Sequence, residues 1–169
     1  MKKVLYTLLA VSLIFTACKK EEGCTDAIAT NYNADAEDDD NSCIYSIVGI
    51  WTPTSVSVTQ SMTATVMGQI VDSYDTTFTT APADVGMEGD VEFTADGNMY
   101  DEGDTNSYTY SGNVLTITED GESETQTCTV TSTSLTVSFS ETETYTEVYM
   151  GQEATITESF DMTLNATRQ

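Results

Sequence analysis

Carboxylates have more capacity for chemistry than any other side chain here, and one stretch concentrates them. Asn33, Asp35, Glu37 and Asp39 fall at alternate positions, with Asp38 and Asp40 adding two further carboxylates. Oxygen ligands at this density suit Ca²⁺, a hard cation that takes about six to eight of them. The stretch lacks the Gly and the distal Glu of the helix-loop-helix calcium loop, so calcium competes with a plainer reading, a solvated acidic turn. Calcium bound there would stiffen the segment rather than catalyse anything. A second candidate is Glu158. Ala154, Ile156, Glu158, Phe160, Met162 and Leu164 share parity along one strand, which sets a single carboxylate on an apolar face. It could hold the polar end of a ligand there, unless a bulge at Ser159 or a place at a wet rim accounts for it. The chain has no His, which removes Ser/His/Asp and Cys/His arrangements and the usual zinc sets. No Gly-rich phosphate loop occurs. Acidic residues are too numerous to single out a catalytic pair, so the expectation is a protein that is not an enzyme.

The segments that deliver these residues come first in the chain. Lys2 and Lys3 precede an apolar run over residues 4–15, too short to cross a bilayer and of the length of a signal-peptide core. The run ends in Phe15-Thr16-Ala17-Cys18, which resembles a bacterial lipobox with Phe15 in place of the usual Leu. The resemblance implies cleavage before Cys18, acylation of its thiol and a membrane anchor, each buried CH₂ contributing about 0.8 kcal/mol. In Lys19-Lys20-Glu21-Glu22, the Lys-Glu-Glu part is similar to the surface-export signal of some Gram-negative lipoproteins. It implies an outer membrane lipoprotein that could face outward from the cell. With Cys18 lipidated, Cys24 and Cys43 are left to form a disulfide, and Cys128 is the odd one out. Cys128 shares a strand face with Val130 and reads as a small buried apolar residue rather than a reactive thiol. The segment from Gly23-Cys24-Thr25-Asp26 through Asn31-Tyr32-Asn33 to Asp39-Asp40-Asn41-Ser42-Cys43 resembles a small disulfide-closed repeat of bacterial surface and secreted proteins. Asn41 stands where that family has Gly.

Beyond residue 46 the chain reads as strands. Thr is the commonest residue, and Pro occurs only at Pro53 and Pro82. Apolar side chains alternate in Val91/Phe93/Ala95, Leu115/Ile117, Leu135/Val137/Phe139 and Phe160/Met162/Leu164. Asp96-Gly97, Gly112-Asn113 and Asp120-Gly121 are hairpin signals. The two Met-Gly pairs, Met67-Gly68 and Met150-Gly151, join unusually long arms. Their outer halves offer little apolar surface to a core, which suggests that the two hairpins lie side by side as a ribbon projecting past the domain. Residues 79–89 form the longest break and the natural lid or crossing loop. Consecutive hairpins make a meander, and closing it removes exposed edges. The expected fold is all-β, an up-and-down antiparallel barrel of about eight to ten strands, with a two-sheet sandwich as its rival.

The opening Gly49-Ile50-Trp51 resembles the start of lipocalin-like barrels, in which the Trp closes one end and a basic residue of the last strand covers its ring. That resemblance implies barrel closure through Gly49, Trp51 and Arg168, the only Trp and the only Arg of the chain. The organisation that follows is a signal peptide over residues 1–17, a lipidated tether over 18–22, a disulfide-closed acidic repeat over 23–45 and a lipocalin-like barrel over 47–169. With a formal net charge of −23, the chain repels nucleic acid and anionic surfaces, so its membrane contact runs through the lipid on Cys18. The expected function is a non-catalytic binding module for a small apolar or amphipathic ligand, with Phe93, Tyr108, Tyr110, Phe139, Glu158 and Phe160 as candidate contacts. The alternative is a surface adhesion or structural module whose barrel is filled by these same side chains.

Overall fold

The computed structural model describes residues 20–169. The expected signal segment and Cys18 lie outside the described residues. The chain divides into two units, one ending at Tyr45 and one spanning Ser46–Gln169.

The first unit has little apolar core; Cys24 and Ala29 are its buried hydrophobic residues. It is held instead by cross-links. A disulfide joins Cys24 to Cys43 across a sequence separation of 19, and closing a loop of that order stabilises by about 3 kcal/mol in the chain-entropy view. Strand β1 (Glu22–Gly23) pairs in parallel with β2 (Asp38–Asp39). The Asn31 side chain accepts from the Ile44 amide and donates to the Ser42 carbonyl, both at 2.7 Å. Asn41 adopts φ 61°, a left-handed conformation that Asn tolerates better than most residues.

The second unit contains β3 (Gly49–Val66), β4 (Gln69–Thr80), β5 (Val91–Phe93), β6 (Asn98–Asp101), β7 (Asp104–Ser111), β8 (Val114–Glu119), β9 (Glu122–Val130), β10 (Ser134–Tyr149) and β11 (Gln152–Arg168). All its pairings are antiparallel. From β5 to β11 each strand pairs with the next, β3 pairs with β5, and β11 returns to β3. Eight strands therefore close into a barrel and β4 is an additional strand, so the two-sheet alternative falls. The core gathers Trp51, Phe93, Met99, Leu115, Cys128 and Leu135, inward residues of six different strands.

Strand β3 changes partner along its length. Its start pairs with β5 up to Trp51↔Val91, and its later part pairs with β4 from Val56↔Thr80 onward. Pro53, which has no N–H to give to a ladder, sits in the gap between the two partners, beside the register shift at Asn165/Ala166. Past that point β3, β4, β10 and β11 form a four-stranded ribbon, because β9 accompanies β10 only from Leu135 to Ser138. The juxtaposed Met-Gly hairpins are thus present. Their inner face carries Ala64, Val66, Ala154 and Ile156 into a second small core packed by Met62 and Tyr149. The Tyr149 hydroxyl donates to Asp72 at 2.8 Å, reaching from β10 to β4 over the two strands between them.

Two turns differ from expectation. Asp96-Gly97 does not form a two-residue hairpin; β5 ends at Phe93, and Thr94 N donates to the Asn98 carbonyl at 2.9 Å, so Ala95 lies in a longer loop rather than in the strand. Glu102-Gly103, with φ 48° and 102°, makes the tight turn between β6 and β7. Glu gives no turn signal, and this hairpin goes unread in the sequence.

Candidate functional site

One end of the barrel is closed by Arg168. Its Cζ lies 4.3 Å from the centroid of the Trp51 ring, within the range of a cation over an aromatic face. The guanidinium also donates to two carbonyls, Nη1 to Val48 at 2.9 Å and Nη2 to Ser46 at 2.6 Å. Trp51 is 0% exposed and donates its indole N–H to the Ile47 carbonyl at 2.8 Å. The cation and the indole together satisfy the carbonyls of residues 46–48. Gly49 is required twice over: its φ is +143°, and a Cβ there would come within 2.8 Å of Arg168 Nη1. Burial pulls the Arg168 pKa down from its ordinary value.

Inside the barrel is a cavity of about 170 Å³. Phe93, Leu115, Val137, Phe139, Met162 and Leu164 supply much of its apolar wall, and Trp51 contributes as well. The connection after β4 takes a short 3₁₀ turn at Pro82–Val85 and then places Met87 and Gly89 in the same wall. Glu102 holds that connection, accepting from the amides of Glu88 at 2.5 Å and Gly89 at 3.2 Å. The lid expected over residues 79–89 therefore begins later, because β4 continues to Thr80. Two polar side chains also line the cavity, Asp101 and Gln126. Burial, followed by the neighbouring charges of Glu102 and Asp104, raises the Asp101 pKa above its ordinary value.

The candidate ligand contacts separate. Phe93 and Phe139 line the cavity. Tyr108 and Tyr110 do not; they pack against the core from β7. Tyr108 stands edge-on to Phe93 with centroids 4.9 Å apart and donates its hydroxyl to the Thr94 carbonyl at 2.8 Å. Phe160 and Glu158 leave the cavity for a mechanical reason. Successive inner rows across β10, β11, β3 and β4 read Phe139–Met162–Val58–Phe78, Glu141–Phe160–Gln60–Thr76 and Glu143–Glu158–Met62–Tyr74. Only the first belongs to the barrel end of the ribbon; the strand keeps its parity while it runs out of the barrel. Glu158 is exposed, accepts from the Tyr145 hydroxyl at 3.2 Å and lines an open groove with Phe160, Tyr74, Glu141 and Glu143. No register shift occurs at Ser159, so neither a barrel anchor nor a bulge describes Glu158. Cavity residues such as Met162, Val137 and Leu115 are readable from strand parity, and Asp101 follows Met99 at the same parity. Met87 has no such signal, since it lies in a loop.

The acidic stretch of the first unit does not converge. Asp39 accepts from the Asn41 amide at 2.7 Å and from Thr25 Oγ1 at 2.9 Å, which lowers its pKa. Asp40 accepts from the Ser42 amide, Asn33 from the Asp35 amide, and Asp38 pairs with Lys20 at 2.9 Å. Glu37 and Asp35 contribute no shared centre. Among the described residues no three His, Cys, Asp or Glu side chains are grouped to hold a metal ion; Asn33, Asp39 and Asp40 each accept from a backbone amide two residues on. Cys128 is 0% exposed, unbridged, and burial pushes its thiol up to about 11.

A family model described as a lipocalin-like domain matches residues 47–137, from the residue that accepts the Trp51 indole to the middle of the cavity wall on β10. No curated protein and no solved structure matches the chain.

Proposed function

The chain belongs to the lipocalin-like family, and from that premise we propose that it is a non-catalytic binding module whose barrel takes a small apolar or amphipathic ligand. The cavity carries this reading. A space of about 170 Å³ with a mostly apolar lining is close to an engineered cavity of about 150 Å³ that stays dry and binds benzene. It is well below the roughly 300–1,000 Å³ typical of drug-sized sites. The guest is therefore one ring or a short chain, not a long lipid. We further propose that the module is exported, lipidated at Cys18 and held on the outer membrane, with display at the cell surface. The lipobox-like Phe15-Thr16-Ala17-Cys18 supports this, as does the Cys24–Cys43 disulfide, a bond favoured outside the cytoplasm.

Trp51 lines the cavity and is the only Trp, so its emission reports occupancy. Titration with benzyl alcohol is expected to change that emission saturably, and a Val137→Phe variant that fills the space is expected to lose the response. An unsaturable response, identical in both proteins, would contradict the binding reading. The second reading, a surface adhesion module, draws on the hairpin tips. Met67 and Met150 are 93% and 90% exposed, with Ile70 and Val148 exposed beside them, and contiguous exposed apolar surface marks interaction sites.

A further inference from the structure

The cavity has an apolar wall and one carboxylate whose chemistry the protein leaves unanswered. Asp101 closes β6 on the same strand face as buried Met99 and lines the cavity. Its carboxylate accepts no hydrogen bond and meets no cation among the described residues. The groups around it are of the same sign: Glu102 follows it, and Asp104 lies directly opposite on β7. Glu102 is engaged in holding the amides of Glu88 and Gly89, which keeps the wall containing Met87 in place. The barrel unit owns a single basic residue, Arg168, and its two terminal nitrogens are committed to the carbonyls of Ser46 and Val48. The other polar side chain in the wall, Gln126, is likewise free of side-chain partners among the described residues. A half-buried carboxylate without a donor costs free energy unless something supplies one. The chain as a whole, at −23, attracts cations to its clefts and repels anions.

We propose that the ligand of this cavity is a small organic cation, a protonated primary amine on a compact apolar body, with the ammonium at Asp101 and the body against Phe93, Leu115 and Val137. This rests on the reading of the barrel as a binding site and names the class of molecule it takes. An ammonium supplies both the donor and the charge that Asp101 lacks, and charge-assisted hydrogen bonds are the stronger kind. A carboxylate ligand of the same shape would meet Asp101, with Glu102 and Asp104 behind it, and no basic side chain in the wall.

Three probes of one shape separate the possibilities: benzylamine, benzyl alcohol and benzoate, titrated at neutral pH into the purified protein and into Asp101→Asn. Trp51 emission and the methyl resonances of Met87 and Met99 serve as readouts. Wild type is expected to bind benzylamine about tenfold or more tightly than benzyl alcohol, and benzoate least. Asp101→Asn is expected to remove that preference by bringing benzylamine to the affinity of benzyl alcohol, and a cooperative urea transition shows that the variant is folded. Equal affinity for amine and alcohol in wild type, or a preference that survives Asp101→Asn, would overturn the assignment to Asp101 and leave the apolar site standing. Saturable binding of none of the three would overturn both.

Discussion

Arg168 acts as a clasp, and the sequence shows only half of it. The stacking of a lone Arg on a lone Trp is legible from the Gly49-x-Trp51 opening and the end of the last strand. The two carbonyls it binds are not, because backbone acceptors leave no mark in residue types. With those bonds included, Arg168→Ala is expected to lower stability by about 2–3 kcal/mol, more than a ring contact alone would give. Arg168→Lys should recover part of it, since charge returns without the planar fork. Gly49→Ala is expected to cost about 1–3 kcal/mol through strain. Urea midpoints of the three variants check all of this. Asp101 has the opposite sign. Its folded pKa is raised above 3.8, so the folded state holds the proton more tightly and stability is lost as pH rises from 3.8 through the folded value. Asp101→Asn is therefore expected to be more stable than wild type at pH 7, with the difference gone below the ordinary carboxyl range; denaturation at pH 7 and pH 3 tests it. Cys128, buried and pushed up to about 11, is expected to resist thiol reagents at pH 8 until the protein is unfolded.

Strands were readable wherever one face is apolar and the other is Thr, Ser or Glu, which covers most of β8, β10 and β11 and both long hairpins. What parity cannot tell is where a strand leaves the core. Glu158 and Phe160 keep the alternation of Met162 and Leu164, yet they stand on the ribbon, since the partner strands that close the barrel stop short of them. The Glu102-Gly103 turn after β6 is unreadable for a different reason: Glu is a poor turn former, and its left-handed backbone follows from tertiary position. Met67 and Met150 occupy the same strained place, at φ 49° each. Asn is the favoured residue there before Gly, so Met67→Asn and Met150→Asn are each expected to stabilise by roughly 0.5–1 kcal/mol. On the ribbon, Tyr149→Phe removes the bond to Asp72 and is expected to cost about 0.5–1 kcal/mol. Hydrogen exchange should rise along Gln69–Thr80 and Ser134–Tyr149 near the tips, leaving the barrel amides unchanged.

At the scale of the molecule, the Cys24–Cys43 disulfide agrees with the proposed export, since such bonds are favoured outside the cytoplasm. A net charge of −23 opposes self-association and draws cations toward the surface. If the proposed anchor holds, Cys18→Ser should move the protein from the membrane fraction to the soluble one, and unchanged retention would remove the lipoprotein reading. The disulfide-closed unit was legible as a unit because its cysteines and turn residues are consecutive in the chain. In its acidic stretch the sequence left calcium and a solvated turn both open, since density of carboxylates cannot distinguish oxygens that converge on an ion from oxygens that accept from their own backbone. The barrel itself matters most for the space it encloses. A crystal of the protein under xenon pressure tests that space directly. Xenon is expected to occupy a single site between Phe93, Leu115, Val137 and Met162, as apolar cavities of this size do. Absence of xenon, with Phe139 or Met162 turned inward to fill the volume, would contradict the binding module and leave the filled barrel in its place.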